Sequence, residues 1–125
     1  VCASDLNRSK AKGTAFEVLV RDYLIGEGFI HAHRPALSGG NDTVDINGIA
    51  SKKNLRKVAV QCKNQKAMKL SEWLNDTVKQ AERLNDAVPA LVVKRPGKGA
   101  KALGDSYAVM RLSDLVVLLT EAGYC

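Results

Sequence analysis

A carboxylate, a carboxamide and an ammonium are the groups in this chain whose types and spacing suggest chemistry. Asp45 stands in Thr43-Val44-Asp45-Ile46, and Gln61 and Lys63 stand in Val58-Ala59-Val60-Gln61-Cys62-Lys63. Both stretches are short, rich in β-branched residues and bounded by Gly, Asn or Lys, which predicts two strands of a hairpin. Side chains alternate across a strand. Val58, Val60 and Cys62 therefore share the face expected to be core, and Gln61 and Lys63 share the polar face. A carboxylate from one strand would meet an amide oxygen and an ammonium from the next, an arrangement that is costly inside a sheet unless a ligand or cation resolves it.

The elements that must hold these groups in place can be read from hydrophobic spacing. Over residues 14–27, Phe16, Val20, Tyr23 and Leu24 recur at helical intervals, with Leu19 widening the stripe and Gly26 and Gly28 ending it. Residues 1–12 form a frayed arm or an early helical turn, carrying Arg8, Lys10 and Lys12. Thr14-Ala15-Phe16-Glu17 has the form of a capping box, in which Glu17 would bond the Thr14 amide. Residues 29–33 read as a first strand and 34–41 as a loop. His31 and His33 share a strand face, which on a sheet edge reads as solvent exposure ahead of metal ligation, and neither is assigned a role. Ser38-Gly39-Gly40-Asn41-Asp42 is either a turn offering backbone amides to a phosphate or a plain hairpin connection. Asp42 rivals Asp45 as a metal carboxylate, but Asp45 lies inside the β-like segment.

Asn47-Gly48 is a turn signal, and Lys52, Lys53, Arg56 and Lys57 make a basic run before the central strand. After Lys63 come Lys66 and Lys69, then Ser71 as an N-cap for a second helix with the stripe Leu74, Val78, Ala81, Leu84 and Val88. Trp73 reads as an interface or core anchor rather than a base-stacking platform. Residues 89–94 and 106–110 are strand-like. Between them, Arg95-Pro96-Gly97-Lys98-Gly99-Ala100-Lys101 is either a DNA-contacting loop, through Lys98 and Lys101, or an exposed hairpin loop. Ser113 caps a final apolar helix over residues 114–122. The predicted order α-β-β-β-α-β-β-α places helices against a mixed central sheet, an α/β plan.

Composition narrows the partners. A chain of 125 residues with 46% hydrophobic content suits one domain spanning residues 1–125 with a packed core. Its net charge of +6 makes a polyanion a natural partner. Cys2, Cys62 and Cys125 show no paired metal spacing, which argues against a zinc site or a secreted disulfide scaffold and fits a reducing cytoplasm. Cys62 reads as a small buried hydrophobe. The longest apolar runs, 88–93 and 115–119, are too short to span a bilayer, and no signal-peptide pattern opens the chain.

Val44-Asp45 followed by Gln61-Cys62-Lys63 resembles the acid, spacer, acid-x-Lys pattern of the PD-(D/E)-x-K nucleases. Upstream, Lys12-Gly13 and Glu17 on the first helix, Gly28-Phe29, Arg34 and Ser38-Gly39 follow in the order seen in archaeal-type Holliday junction resolvases and their phage relatives. The resemblance covers about residues 10–94. Two departures stand out: Val44 replaces the usual Pro, and Gln61, a neutral oxygen donor, replaces the usual acid.

The resemblance implies a restriction-endonuclease-like fold and a metal-dependent DNA endonuclease cutting four-way junctions as a homodimer, in a bacterial, archaeal or phage-infected cell. Glu17, Asp45, Gln61 and Lys63 would be catalytic. Asp45, the Gln61 side-chain oxygen, Glu17 and the Cys62 backbone carbonyl would hold Mg2+ or Mn2+, all as hard oxygen donors. Lys10, Lys12, Arg34 and Ser38 would contact phosphates, joined by Lys69 and the loop lysines Lys98 and Lys101. Three alternatives remain: a nuclease of the same superfamily acting on ends, flaps or nicks; a junction-binding protein that has lost catalysis through Gln61; and a structural basic protein.

Overall fold

The computed structural model describes residues 3–36 and 44–125. Helix α1 (Ala3–Gly26) runs through Gly13 without a break, so Thr14 lies inside the helix and cannot be its N-cap. The capping-box reading of Glu17 is thereby corrected. Phe16 and Val20, four residues apart, are buried, and Leu24 continues their stripe. The helix stops in a Schellman turn: Gly28 takes φ 109°, and the Phe29 and Gly28 amides donate to the Leu24 and Ile25 carbonyls.

The expected first strand is absent. Of residues 29–33, His33 alone pairs with another segment, in an isolated antiparallel bridge to Asn47. Strand β1 (Ile46–Ala50) begins one residue after Asp45 and runs through the Asn47-Gly48 pair expected to be a turn. Tertiary contact explains the difference. Gly48 adopts φ 89°, and a Cβ on it would lie 2.0 Å from the His31 carbonyl oxygen, so the glycine lets the 31–33 backbone cross the strand. The β1–β2 register shifts between Ile46 and Ile49, and the reversal occurs instead over residues 51–56.

Strand β2 (Lys57–Lys63) is central. It pairs antiparallel with β1 and parallel with β3 (Val88–Val93), which pairs antiparallel with the short β4 (Tyr107–Val109), giving a mixed sheet in the order β1-β2-β3-β4. Helix α2 (Leu70–Glu82) makes the β2-to-β3 crossover that parallel pairing requires. Lys69, not Ser71, is its N-cap, and its buried face is Trp73, Thr77 and Ala81, a stripe rotated from the predicted one. An irregular 3-10 segment, Ala100–Asp105, and helix α3 (Leu112–Glu121) complete the described chain.

Both faces of β2 are covered. Val60 and Cys62 pack with Phe16 and Val20 of α1. Ala59 packs with Ala81 of α2, while Trp73 packs on Leu91 and Val93, the parallel partners of Gln61 and Lys63. The alternation read from the sequence holds, but the face of Gln61 and Lys63 also lies under a helix. This is the α/β, restriction-endonuclease-like plan of a mixed sheet flanked by helices.

Candidate active site

Asp45 owes its position to a bend. Val44 packs with Ala59 and Ala81 on the α2 side, whereas Ile46 packs with Val60 and Phe16 on the α1 side. Residues two apart on a regular strand would share a face, so the chain turns over at Asp45. The Asp45 carboxylate replaces a strand carbonyl at the end of the ladder, with Oδ2 accepting the Cys62 N–H at 2.8 Å. This ties the carboxylate to the backbone between Gln61 and Lys63.

Glu17 reaches the same place from α1, one residue beyond buried Phe16. Burial first, then hydrogen bonding to and charge repulsion from the neighbouring Asp45 carboxyl, push the Glu17 pKa up to about 7, against the opposing pull of Arg34 and Lys63. Arg34 Nη2 lies 3.5 Å from Glu17 Oε2. Lys63 projects on the α2 side, its Nζ 5.9 Å from the centre of the Trp73 ring, a cation–π contact that restrains the ammonium. The Gln61 side-chain oxygen is buried with no hydrogen-bond partner.

These groups line one open groove of about 840 Å³. Lys10, Lys12, Arg34, Lys63 and Lys66 stand along it with Glu17, Asp45 and Gln61. Cations surrounding a small acidic centre suit a phosphate backbone that must approach two carboxylates. Among the described residues no three of His, Cys, Asp and Glu gather as metal ligands. The oxygens present nevertheless fit a hard divalent ion: two neighbouring carboxyls and a buried, unpartnered carboxamide oxygen would all be relieved by one cation. The family model described as phage putative PDDEXK endonuclease matches residues 8–122.

The chain belongs to that PDDEXK endonuclease family. No match was found among curated proteins or solved structures. Membership makes nuclease chemistry on DNA, typically with divalent metals, the activity class of this PDDEXK chain. No helix among its described residues is long and apolar enough to cross a membrane.

The structure brings Glu17, Asp45, Gln61, Lys63, Lys10, Lys12 and Arg34 to the groove. Cys62 also borders it, but its side chain lies in the core with Phe16 and Val20, and burial pushes the thiol well above its ordinary range, leaving the backbone as its only hard donor. Ser38 and its rival-acid neighbour Asp42 lie outside the described residues. Three expected DNA contacts do not line the groove: Lys69 is exposed at the start of α2, Lys101 is exposed, and Lys98 sits 3.6 Å from Asp105. The 3-10 segment after the basic loop packs instead toward α1, where Gly104 faces the Tyr23 hydroxyl.

Sequence reasoning passed over Asn64, Gln65 and Gln80, which also line the groove. Asn64 and Gln65 follow Lys63 directly, so their proximity could have been read from the strand end. Gln80 gave no such signal, because it lies between the predicted stripe residues Val78 and Ala81 and reads as solvent-facing.

Proposed function

We propose that this chain is a divalent-metal-dependent endonuclease for branched DNA, resolving four-way junctions by phosphodiester hydrolysis as a homodimer. The observation that carries the reading is the meeting of the Glu17 and Asp45 carboxyls with the unpartnered Gln61 oxygen in one groove lined by five cationic side chains. Glu17, Asp45 and Gln61, with the Cys62 backbone carbonyl, are the groups that would hold Mg2+ or Mn2+. When bound, such an ion polarises the scissile phosphate and lowers the pKa of a water at the site.

The chain's own residues do the remaining work. Glu17 would hold the ion in its carboxylate form, which the Arg34 and Lys63 charges favour. Asp45 stays in register because the Cys62 amide holds it. Lys63, restrained over Trp73, offsets the charge that builds on phosphorus. Lys10, Lys12, Arg34 and Lys66 contact phosphates rather than base edges, which suits selection by DNA shape.

A junction needs two symmetric cuts, hence two grooves. The exposed apolar stripe Leu112, Leu115, Val116 and Leu119 on α3 supports pairing with a second copy. The neutral Gln61 favours one competing reading, a protein that binds junctions without cutting them.

The test compares cleavage of a mobile four-way junction with that of a linear duplex built from the same arms, across a Mg2+ and Mn2+ titration, with sedimentation of the free protein. Preferential junction cutting by a dimer supports the proposal. Equal cutting of both substrates points to a less selective nuclease. Tight junction binding that stays silent until Gln61→Glu is introduced points to the binding module.

A further inference from the structure

Two buried side-chain oxygens among the described residues have no hydrogen-bond partner, and they belong to Gln61 and Gln80. Both residues line the same groove. An acceptor removed from water without a donor is unfavourable, and two carbonyl oxygens cannot satisfy each other. They require a donor or a cation in the space they border.

Gln80 is carried there by the packing of α2. It lies between Thr77 and Ala81, both buried against the sheet, and Ala81 packs with Val44 and Ala59. Val44 immediately precedes Asp45, and Ala59 lies two residues before Gln61 on the same face of β2. Helix α2 thus brings Gln80 to the groove beside residues that flank Asp45 and Gln61 in sequence. A divalent ion there would be short of ligands: Glu17, Asp45 and Gln61 supply only part of the six or more oxygens that a hard ion takes.

We propose that Gln80 is a further cation ligand of the cleavage site, presenting its side-chain oxygen from α2 to the divalent ion held by Glu17, Asp45 and Gln61. The inference rests on the metal-dependent reading above. It makes the site a junction of four elements, α1, the bend before β1, β2 and α2, with two neutral oxygens where an acid-rich site would use charge. Binding would then depend on how α2 sits on the sheet as well as on the carboxylates.

The experiment is calorimetric titration of Mn2+ into the full chain without DNA, at pH 8, for wild type, Gln80→Met, Gln80→Glu and Asp45→Asn, with thermal melts in chelator. Gln80→Met is expected to weaken Mn2+ binding about tenfold while raising the melting temperature in chelator, because a partnerless acceptor is removed. Gln80→Glu is expected to tighten binding about tenfold. Mn2+ affinities within about twofold of wild type for both Gln80 variants, with binding lost in Asp45→Asn, would overturn the Gln80 assignment and leave the metal site standing. If Asp45→Asn also leaves Mn2+ binding unchanged, the metal-dependent reading itself falls. Should Gln80→Met fail to fold, Gln80→Glu decides, and unchanged affinity there overturns the assignment.

Discussion

Asp45 and Cys62 are joined by a hydrogen bond of 2.8 Å in which a side-chain carboxylate accepts a strand N–H. One interaction both ends the β1–β2 ladder and fixes the acid. A charged acceptor on a partly buried amide contributes about 1.5–3 kcal/mol. Structure and proposed chemistry are therefore coupled at this residue, and two substitutions separate them.

Asp45→Asn keeps an oxygen for the Cys62 amide but removes the charge. Cleavage should fall a hundredfold or more, while junction affinity measured in Ca2+ and the denaturation midpoint stay close to wild type. Asp45→Ala should lose both activity and about 2 kcal/mol of stability. A large loss of DNA affinity in Asp45→Asn would count against a catalytic role.

The Glu17 carboxyl has a folded-state pKa of about 7 against an ordinary 4.5. Between those values the folded protein keeps a proton that the unfolded chain has released. Its contribution to stability is thus complete below the ordinary value and is lost as pH rises through about 7. In chelator, wild type should lose on the order of 2–3 kcal/mol between pH 4.5 and 8 through this group, and Glu17→Gln should flatten that slope. Apparent Mg2+ affinity should run the other way, increasing up to about pH 7 and levelling above it, because the ion must displace the proton. Denaturant titrations at both pH values and calorimetry across the range check both signs.

Gln61→Glu adds a third carboxyl to the Glu17–Asp45 pair. Without metal it should destabilise the fold near neutral pH and push the Glu17 midpoint higher; with metal it should tighten Mg2+ binding about tenfold. A melt in chelator beside a Mg2+ titration reads both. Unchanged values in each would mean that Gln61 does not face the acids.

Salt dependence separates groove cations from loop cations. Lys10→Ala with Lys12→Ala should reduce the slope of log K against log salt by about 2, roughly one unit per phosphate contact. Lys98→Ala with Lys101→Ala should reduce it less, because Lys98 is already paired with Asp105 and neither residue lines the groove. Equal slopes for the two double variants would place the duplex across the loop as well.

Gly48→Ala tests the crossing that replaced the expected turn. The positive φ alone costs about 1–3 kcal/mol for a non-glycine residue, and a Cβ would meet the His31 carbonyl. The denaturation midpoint should therefore drop sharply. A near-neutral result would show that the 31–33 backbone can move away.

Local patterns were readable wherever a single element decides them. The period of two in Val58-Ala59-Val60-Gln61-Cys62-Lys63 assigned opposite faces to Cys62 and Lys63, and helical spacing found Phe16, Val20 and the body of α2. Trp73 was also readable as an anchor, and it is buried against Leu91 and Val93. The ordered set from Lys12 to Lys63 pointed to the PDDEXK superfamily because residues far apart in sequence each keep a recognisable local context.

Contacts between distant segments settled the rest. Nothing near Asn47-Gly48 in sequence reveals that His31 crosses it, so a strong turn signal became a strand with an altered register. Thr14 looks like a cap until α1 extends past it, since a helix start depends on what precedes it as well as on the capping pattern. The bend at Asp45 exists because Val44 and Ile46 find apolar partners on opposite sides of the sheet, and Gln80 enters the groove because Trp73 and Thr77, rather than Leu74 and Val78, join Ala81 on the buried face of α2. The amino-acid order by itself determined which chemical groups were available and which strand carried them. Packing on both faces of that strand decided which of them meet, because convergence in space depends on the summed burial of residues that no local window contains.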